Sequence, residues 1–176
     1  MMIKQVITTA VIVTHFFCVS IQPISEPEIP IYDLWASLTV EQQDKADIGF
    51  KACVAGMTEK EFRLFSAVVE AESDRGKGKE SLENRTLIAV VIFNRVKSKK
   101  FPNTITKVIK QRGQFSVVSS GAYKRVGRSN LADRAIIEAH RREIMKEAPN
   151  ILYFNCIGFF KGHKKYKKVG DNYFSY

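Results

Sequence analysis

The chain has 176 residues, of which 45% are hydrophobic and 26% charged, and this composition argues against disorder along its whole length. Its formal net charge of +10 favours a polyanionic partner without distinguishing an anionic polymer from nucleic acid. The sequence has no HExxH motif, no paired Cys/His spacing and no Gly-rich phosphate loop, so we expect neither a metal nor a nucleotide cofactor.

The N-terminal region has the pattern of a secretory signal peptide. Lys4 precedes an almost uncharged run at residues 6–21, and small residues around Cys18 and Ser20 provide a cleavage point. The alternative is an uncleaved membrane anchor, but the run is short for a span. We therefore expect a signal peptide at residues 1–21 and export to the periplasm, the cell wall or the extracellular space. After export, Cys53 and Cys156 could either form a disulfide or remain separate thiols.

Residues 22–57 are expected to form a linker and an N-terminal segment. Three prolines at residues 22–30 favour an extended chain. Farther along, Thr39 and Gln42 have the spacing of a capping box, which predicts one or two helical turns within residues 32–54. The main folded domain is then expected over residues 58–176.

Two hydrophobic helices are predicted at the start of that domain. Thr58 and Glu61 form a second capping-box pair, and apolar residues follow at helical spacing through Glu72. After a polar stretch, residues 87–93 read LIAVVIF, which is apolar on every side. Because the run continues to Val96, we interpret it as a buried helix and not as a strand.

The rest of the chain predicts two more helices and a β-rich tail. Asn103 or Thr104 caps a short helix that ends near Gly113, and residues 114–128 read as loop. Ser129 or Asn130 caps a helix extending to about residue 146. Residues 151–176 alternate aromatic residues and β-formers with lysines, which predicts short strands or a hairpin. The fold class is therefore α+β and mainly helical.

Glu70 is the residue with the clearest chemical potential. It lies near the end of a mostly apolar helix, where a partly desolvated carboxyl group becomes a better general acid. Glycoside cleavage requires such an acid, because the departing sugar oxygen must be protonated. The alternative is a solvated carboxylate at a helix end. Glu72 lies about 200° farther around the helix and cannot share the site, whereas Glu80 or Glu83 could line it.

The order of several short motifs resembles the SleB/CwlJ-type cell-wall hydrolase family, which includes spore cortex-lytic enzymes. VVEAES is followed by IAVVIFNRVKS, then by Phe101-Pro102, by Gln114-Phe115-Ser116 and by Tyr153-Phe154-Asn155. The resemblance covers residues 61–176, and residues 89–116 are its most specific part.

The resemblance implies a small lysozyme-like or lytic-transglycosylase-like domain that cleaves peptidoglycan between N-acetylmuramic acid and N-acetylglucosamine. It assigns the catalytic glutamate to Glu70 and matches a second family glutamate to Glu80, through an insertion around residues 74–79. The candidates for holding the sugar are the polar and aromatic motif residues Asn94, Gln114, Phe115, Ser116 and Tyr153.

The chain departs from the family pattern at three places. The family usually has Gly and Glu close behind its Glu-Ala, where this chain has Ser73-Asp74. It usually has Gly-Gln where this chain reads Asn84-Arg85. The terminal Gly-x-His-x-Phe of the family carries Asn172 in place of histidine.

Three functions remain open from the sequence. The first is a peptidoglycan-cleaving enzyme, which would act as a lytic transglycosylase if no second carboxylate faces the sugar. The second is a non-catalytic module that binds wall glycan or another anionic polymer. A nucleic-acid binder rests on charge alone, so peptidoglycan glycan strands and anionic wall polymers are the expected partners and nucleic acid is not.

Overall fold

The computed structural model describes residues 31–73 and 78–176, with side chains from residue 81 onward in the second range. The predicted signal peptide and the proline-rich stretch lie outside the described residues, as does the side chain of Glu80. Within these ranges the chain forms helices α1 Ile31–Ser37, α2 Val40–Lys45, α3 Ile48–Val54, α4 Glu59–Glu72, α5 Gly78–Lys97, α6 Ile105–Ile109, α7 Ser116–Ser119, α8 Ala122–Val126 and α9 Asn130–Ile144. Strands β1 Tyr153–Asn155, β2 Lys165–Val169 and β3 Asn172–Ser175 follow.

Helix α5 is the centre of the domain. It contacts α4, α6, α9, β1 and β2, so apolar side chains are buried all around it. Every residue of the LIAVVIF run is at most 8% exposed. The prediction of a buried helix is therefore confirmed, and its lack of one polar face reflects neighbours on all sides.

Helix α4 begins and packs as its sequence predicts. The Thr58 hydroxyl accepts a hydrogen bond from the Glu61 amide and caps the first turn. Phe62, Phe65 and Val68 recur at helical spacing and are fully buried. This buried face sets the direction of the helix end, where Glu70 lies.

The C-terminal tail forms a three-stranded antiparallel sheet with strand order β1-β3-β2. Phe154 pairs with Phe174 in the β1–β3 register, and an irregularity between Lys165 and Lys167 shifts the β2–β3 register. The expected strands at residues 151–176 are confirmed, as is the α+β, mainly helical fold class.

Residues 114–128 were expected to be a loop, and this prediction is wrong. The segment contains α7 and α8, and Gly121 and Gly127 flank α8 with φ angles of 71° and 73°. Helices of four or five residues have almost no periodicity to detect, and packing stabilises them more than intrinsic propensity does. Phe115, just before α7, is 1% exposed and fixes the segment to the core.

The N-terminal segment folds with the rest of the domain. Thr39 and Gln42 form the complete capping box expected from their spacing. Trp35, Ala52 and Val54 belong to the same hydrophobic core as α4 and α5. Residues 31–54 are therefore part of one folded unit with the domain that follows. Cys156 is exposed, and it is not joined to Cys53.

Candidate active site

Glu70 projects from the last turns of α4 and meets Arg85 from α5. The Arg85 Nε and Nη2 atoms donate to the two carboxylate oxygens of Glu70, at 2.8 and 2.9 Å. The Glu70 side chain is 13% exposed and that of Arg85 only 3%. The carboxylate is thus held at the edge of the protein interior by a two-pronged ion pair.

Arg85 is itself held on its other side by Ser81. Its Nη1 donates to the Ser81 carbonyl at 3.2 Å and to the Ser81 hydroxyl. All three guanidinium nitrogens therefore have partners, which a nearly buried arginine requires. The apolar helix alone would favour a protonated Glu70, but an adjacent guanidinium stabilises the ionised carboxylate. In this arrangement Glu70 is both partly desolvated and paired.

Ser129 connects Glu70 to the start of α9. Its hydroxyl donates to Glu70 Oε2 at 2.5 Å and accepts a hydrogen bond from the Ala132 amide at 3.0 Å. Ser129 is therefore the N-cap of a 15-residue helix and a ligand of the carboxylate at once. A helix N-terminus carries partial positive charge, so this position also favours the anion.

A cleft of about 570 Å³ opens at Glu70. Its walls come from the end of α4, from α8 and from the connection between α8 and α9. The lining residues are Glu70, Ala122, Arg125, Val126, Arg128 and Ser129. Among the described residues of this wall, Glu70 is the only acid.

A second buried carboxylate, Asp133, fixes the cleft residue Arg128. Arg128 Nη2 donates to Asp133 Oδ2 at 2.6 Å, and Lys51 Nζ lies 3.2 Å from the same oxygen. The Ser66 hydroxyl donates to Asp133 Oδ1 at 2.6 Å. The Asp133 side chain has no solvent exposure, so this cluster is a fixed support behind the cleft.

Sequence reasoning missed Arg85, Arg125, Arg128, Ser129 and Asp133 as site residues. Only Ser129 carried a local signal, as a helix cap, and only for its structural role. The others become site residues through contacts between separate elements. The departure from the family at Arg85 was visible, but its contact with Glu70 was not.

Three of the proposed sugar-binding residues lie in other parts of the surface and core. Asn94 donates both amide hydrogens within the protein, to the carbonyls of Pro149 and Ile151 at 2.8 Å each. Tyr153 lies in β1 with its ring 4.3 Å from that of His163. Phe115 is buried, and the Cζ atom of the Arg95 guanidinium lies 5.3 Å from the centroid of the Phe115 ring.

The remaining two, Gln114 and Ser116, are exposed on either side of Phe115. The structure does not bring any of these five residues into the described wall of the Glu70 cleft. The side chain of Glu80 lies outside the described residues. Glu83 is engaged elsewhere, with Arg142 at 2.8 Å and Lys167 at 2.9 Å. Burial raises the pKa of Glu83, but hydrogen bonds from these two cations outweigh it and leave the pKa below its ordinary 4.5.

Glu72 faces away from Glu70, as the helical angle predicts. Its Oε1 is buried and has no hydrogen-bond partner among the described residues. Burial raises the pKa of Glu72 above 4.5. A backbone hydrogen bond from Val117 and the charge of Arg95 lower the pKa, but they do not offset the effect of burial. Glu72 is therefore a half-buried acid that does not belong to the described wall of the cleft.

Two departures from the family pattern contact each other. Asn172 donates to the side-chain oxygen of Asn84 at 2.9 Å, and both residues are buried. Asn172 also lies 3.5 Å from the Glu72 carbonyl. The residue in place of the family histidine therefore fastens β3 to α5 and to the end of α4.

No helix in the described ranges is long and apolar enough to cross a membrane.

Comparisons with known proteins give one family and two similar structures. A family model described as cell wall hydrolase matches residues 79–175, a range that begins after Glu70. The catalytic domain of the germination-specific lytic transglycosylase SleB from Bacillus anthracis is 27% identical, with a TM-score of 0.55, covering 69% of this chain and 98% of that one. The catalytic domain of the Bacillus cereus SleB protein is also 27% identical with a TM-score of 0.55, covering 68% and 91%. No curated protein sequence matches the chain.

Proposed function

The chain belongs to the cell wall hydrolase family, and from this premise we propose that it cleaves peptidoglycan as a lytic transglycosylase with Glu70 as its acid. The bond broken is the glycosidic bond between N-acetylmuramic acid and N-acetylglucosamine. The similarity to two SleB catalytic domains, one of them described as a lytic transglycosylase, supports this reaction. The family and the substrate place the enzyme's action outside the cytoplasm, and export by the signal peptide at residues 1–21 is part of the proposal.

The observation that carries the proposal is the cleft at Glu70. Glycosidases that use water need a second carboxylate, as base or nucleophile, facing the sugar. In the described wall Glu70 has no acidic neighbour, and Asp133 is buried between Arg128 and Lys51. With Glu70 as the one acid among the described wall residues, the cleft suits a reaction in which the sugar supplies its own nucleophile.

The reaction proceeds in one balanced exchange. Protonated Glu70 gives its proton to the glycosidic oxygen, and the bond from this oxygen to C1 of N-acetylmuramic acid breaks. The C6 hydroxyl of the same sugar bonds to C1, and its proton passes to the Glu70 carboxylate. The products are a 1,6-anhydro-muramic end and a free N-acetylglucosamine hydroxyl, and no water is consumed.

Arg85 and Ser129 act on the charge that develops during this exchange. As Glu70 loses its proton, negative charge appears between Nε and Nη2 of Arg85 and the Ser129 hydroxyl, which already lie 2.5–2.9 Å from its oxygens. Donors placed in advance stabilise a transition state without reorganisation.

The other candidates keep subordinate roles in the proposal. The exposed Gln114 and Ser116 and the half-buried Tyr153 contact sugar units farther along the strand. Asn94 can contribute only its Oδ1, since its amide hydrogens are used, and Phe115 supports these residues from the core. If the Glu80 side chain faces the sugar, water becomes the nucleophile and the product is a reducing end.

The test is mass spectrometry of the products released from purified peptidoglycan by the protein and by Glu70→Gln. Glutamine keeps an oxygen that accepts from Arg85, so it removes the proton donor with little change in shape. We expect anhydro-muropeptides from the wild type and a rate about 10²- to 10⁴-fold lower from the variant, the usual contribution of a general acid. Glu72→Gln, two residues along the same helix, is the control and should release the same products as the wild type.

Other outcomes would redirect the proposal. Reducing muropeptides from the wild type would retain glycosidic cleavage but require a second carboxylate, and Glu80→Gln would be measured next. No products from walls that a control muramidase digests, with binding to the wall retained in Glu70→Gln, would instead favour a non-catalytic glycan-binding module.

A further inference from the structure

Two arginines line the same cleft as Glu70. Arg125 comes from α8 and Arg128 from the connection to α9, next to Ser129. Arg125 is exposed and has no ion pair in the described part of the chain. The sugar rings of an N-acetylated glycan backbone are uncharged, so the rings themselves offer no anionic group with which these two arginines could pair.

Arg128 is held in a fixed position. Its Nη2 donates to Asp133 Oδ2 at 2.6 Å and its Nε donates to Asp133 Oδ1 at 3.4 Å, and Asp133 is itself fully buried. The third nitrogen, Nη1, makes no hydrogen bond within the described residues, and the side chain remains 27% exposed. A guanidinium fixed on one edge and open on the other is suited to a carboxylate ligand, which it can bind through a planar fork.

The charges around the cleft do not cancel. Arg85 offsets Glu70, whereas Lys51 and Arg128 share the single negative charge of Asp133. Arg125 adds a further positive charge at the wall. The described surroundings of the cleft therefore carry two positive charges in excess, although the acid that does the proposed chemistry is part of the wall.

We propose that the Arg125–Arg128 side of the cleft is a subsite for a carboxylate carried by the glycan strand. The inference rests on the proposed function, because it identifies which form of the same substrate the cleft prefers. Two carboxylates on peptidoglycan have this chemistry. One is the lactyl carboxylate of N-acetylmuramic acid, which is free only where the peptide has been removed, and the other belongs to the stem peptide.

The lactyl group is attached to the ring whose C1 is attacked. It therefore reaches the vicinity of Glu70 whenever that ring is positioned for cleavage. A subsite at this point would increase binding of the reacting sugar itself, and not only of the strand. The expected consequence is a lower KM for substrates that carry the carboxylate, with a smaller effect on kcat.

The test combines two substrates with two variants of the full chain. Peptide-bearing strands and amidase-stripped strands are each prepared with carboxylates free or capped as methylamides, which keeps the size and removes the charge. Arg125→Gln removes the unpaired cation of the subsite. Lys124→Gln removes the same charge from the neighbouring exposed residue, which does not line the cleft, and controls for general attraction of a basic protein to a polyanion.

We expect capping to raise the wild-type KM about 5- to 10-fold on one of the two substrates, the range of a partly exposed charge-assisted hydrogen bond. On the uncapped substrate, Arg125→Gln should already have the KM that the wild type shows on the capped substrate, and capping should not raise its KM further. Lys124→Gln should behave as wild type. An effect on stripped strands identifies the lactyl carboxylate, and one on peptide-bearing strands identifies the stem peptide.

Equal wild-type KM values for capped and free forms of both substrates would overturn the subsite while leaving cleavage intact. So would an Arg125→Gln variant that responds to capping as strongly as the wild type. Absence of products from all four substrates would be a different result, since it removes the proposed function and the subsite with it.

Discussion

Glu70 and Asp133 are similar carboxylates in different surroundings. Each is contacted by an arginine fork and by a serine hydroxyl, Arg85 and Ser129 for Glu70, Arg128 and Ser66 for Asp133. Asp133 has a second cation, Lys51, and no exposure, whereas the Glu70 side chain is 13% exposed at a cleft and is paired with Arg85 among the described residues. The comparison teaches that the same kinds of partner can hold a carboxylate in the interior or at a cleft, and that only the second position, that of Glu70, is open to a ligand.

The two sites are also physically joined. Arg128 and Ser129 are consecutive residues, one bound to Asp133 and the other to Glu70. The buried site at Asp133 therefore fixes the segment that brings Ser129 to Glu70. Variants that weaken either carboxylate should separate a loss of stability from a loss of catalysis.

The largest expected loss of stability comes from Asp133→Asn. It leaves the Lys51 ammonium, 2% exposed, without its counter-charge, and breaking a buried pair from one side costs about 3–5 kcal/mol. Urea unfolding of the variant measures this loss. Asp44→Asn is the matched control, because Asp44 pairs with Arg134 at the partly exposed surface and should cost at most about 1 kcal/mol. Equal losses in the two variants would contradict the structural role assigned to Asp133.

Arg85→Gln tests the proposed catalytic carboxylate, Glu70, and places the usual family residue at position 85. The unfolding free energy should fall by about 1–3 kcal/mol, less than for Asp133, because water at the cleft compensates Glu70 in part. Without the guanidinium, Glu70 keeps its proton to higher pH, so the alkaline limb of the kcat profile should move to higher pH. An alkaline limb at its original position would show that Arg85 does not control the protonation of Glu70.

Ser129→Ala separates helix capping from catalysis. Loss of an N-cap hydroxyl costs about 1 kcal/mol, and Thr58→Ala, at the start of α4, should cost the same. Only Ser129 also donates to Glu70, so only its variant should lower kcat, by roughly tenfold for one lost donor. Steady-state rates beside thermal unfolding curves measure both effects. Identical kcat values for the two alanine variants would remove Ser129 from the mechanism.

Glu72→Gln gives the smallest expected effect and tests a third carboxyl environment, half-buried and without an ion pair among the described residues. Because burial raises the pKa of Glu72, the folded state holds this proton more tightly than the unfolded state does. Stability is therefore lost as pH rises from the ordinary 4.5 through the raised value. The variant should equal the wild type near pH 4 and be slightly more stable at pH 7, as followed by denaturant unfolding at each pH. A variant less stable than the wild type at pH 7 would be the contrary result.

The sequence by itself determined the local features of this protein. The caps at Thr39 and Thr58 could be identified, and those at Thr104 and Ser129 could be narrowed to two neighbouring residues each, because a cap and its helix are adjacent in the chain. The buried helix and the tail strands followed from apolar pattern and composition. The motif order also indicated the family, to which the chain belongs. Glu70 was singled out in this way, and its catalytic role remains a prediction.

Only the tertiary structure decided what surrounds that glutamate. Arg85 is 15 positions from Glu70, Ser129 is 59, and Lys51 is 82 from Asp133. No periodicity links residues so far apart, because they meet only when α4, α5 and α9 pack on a common core. The short helices α7 and α8 were also decided only by the tertiary structure, since a helix of one turn is stabilised by its packing contacts more than by the helix propensity of its residues. The charge balance of the cleft follows from this packing, because the sequence supplies the charges and the fold determines which of them are neutralised.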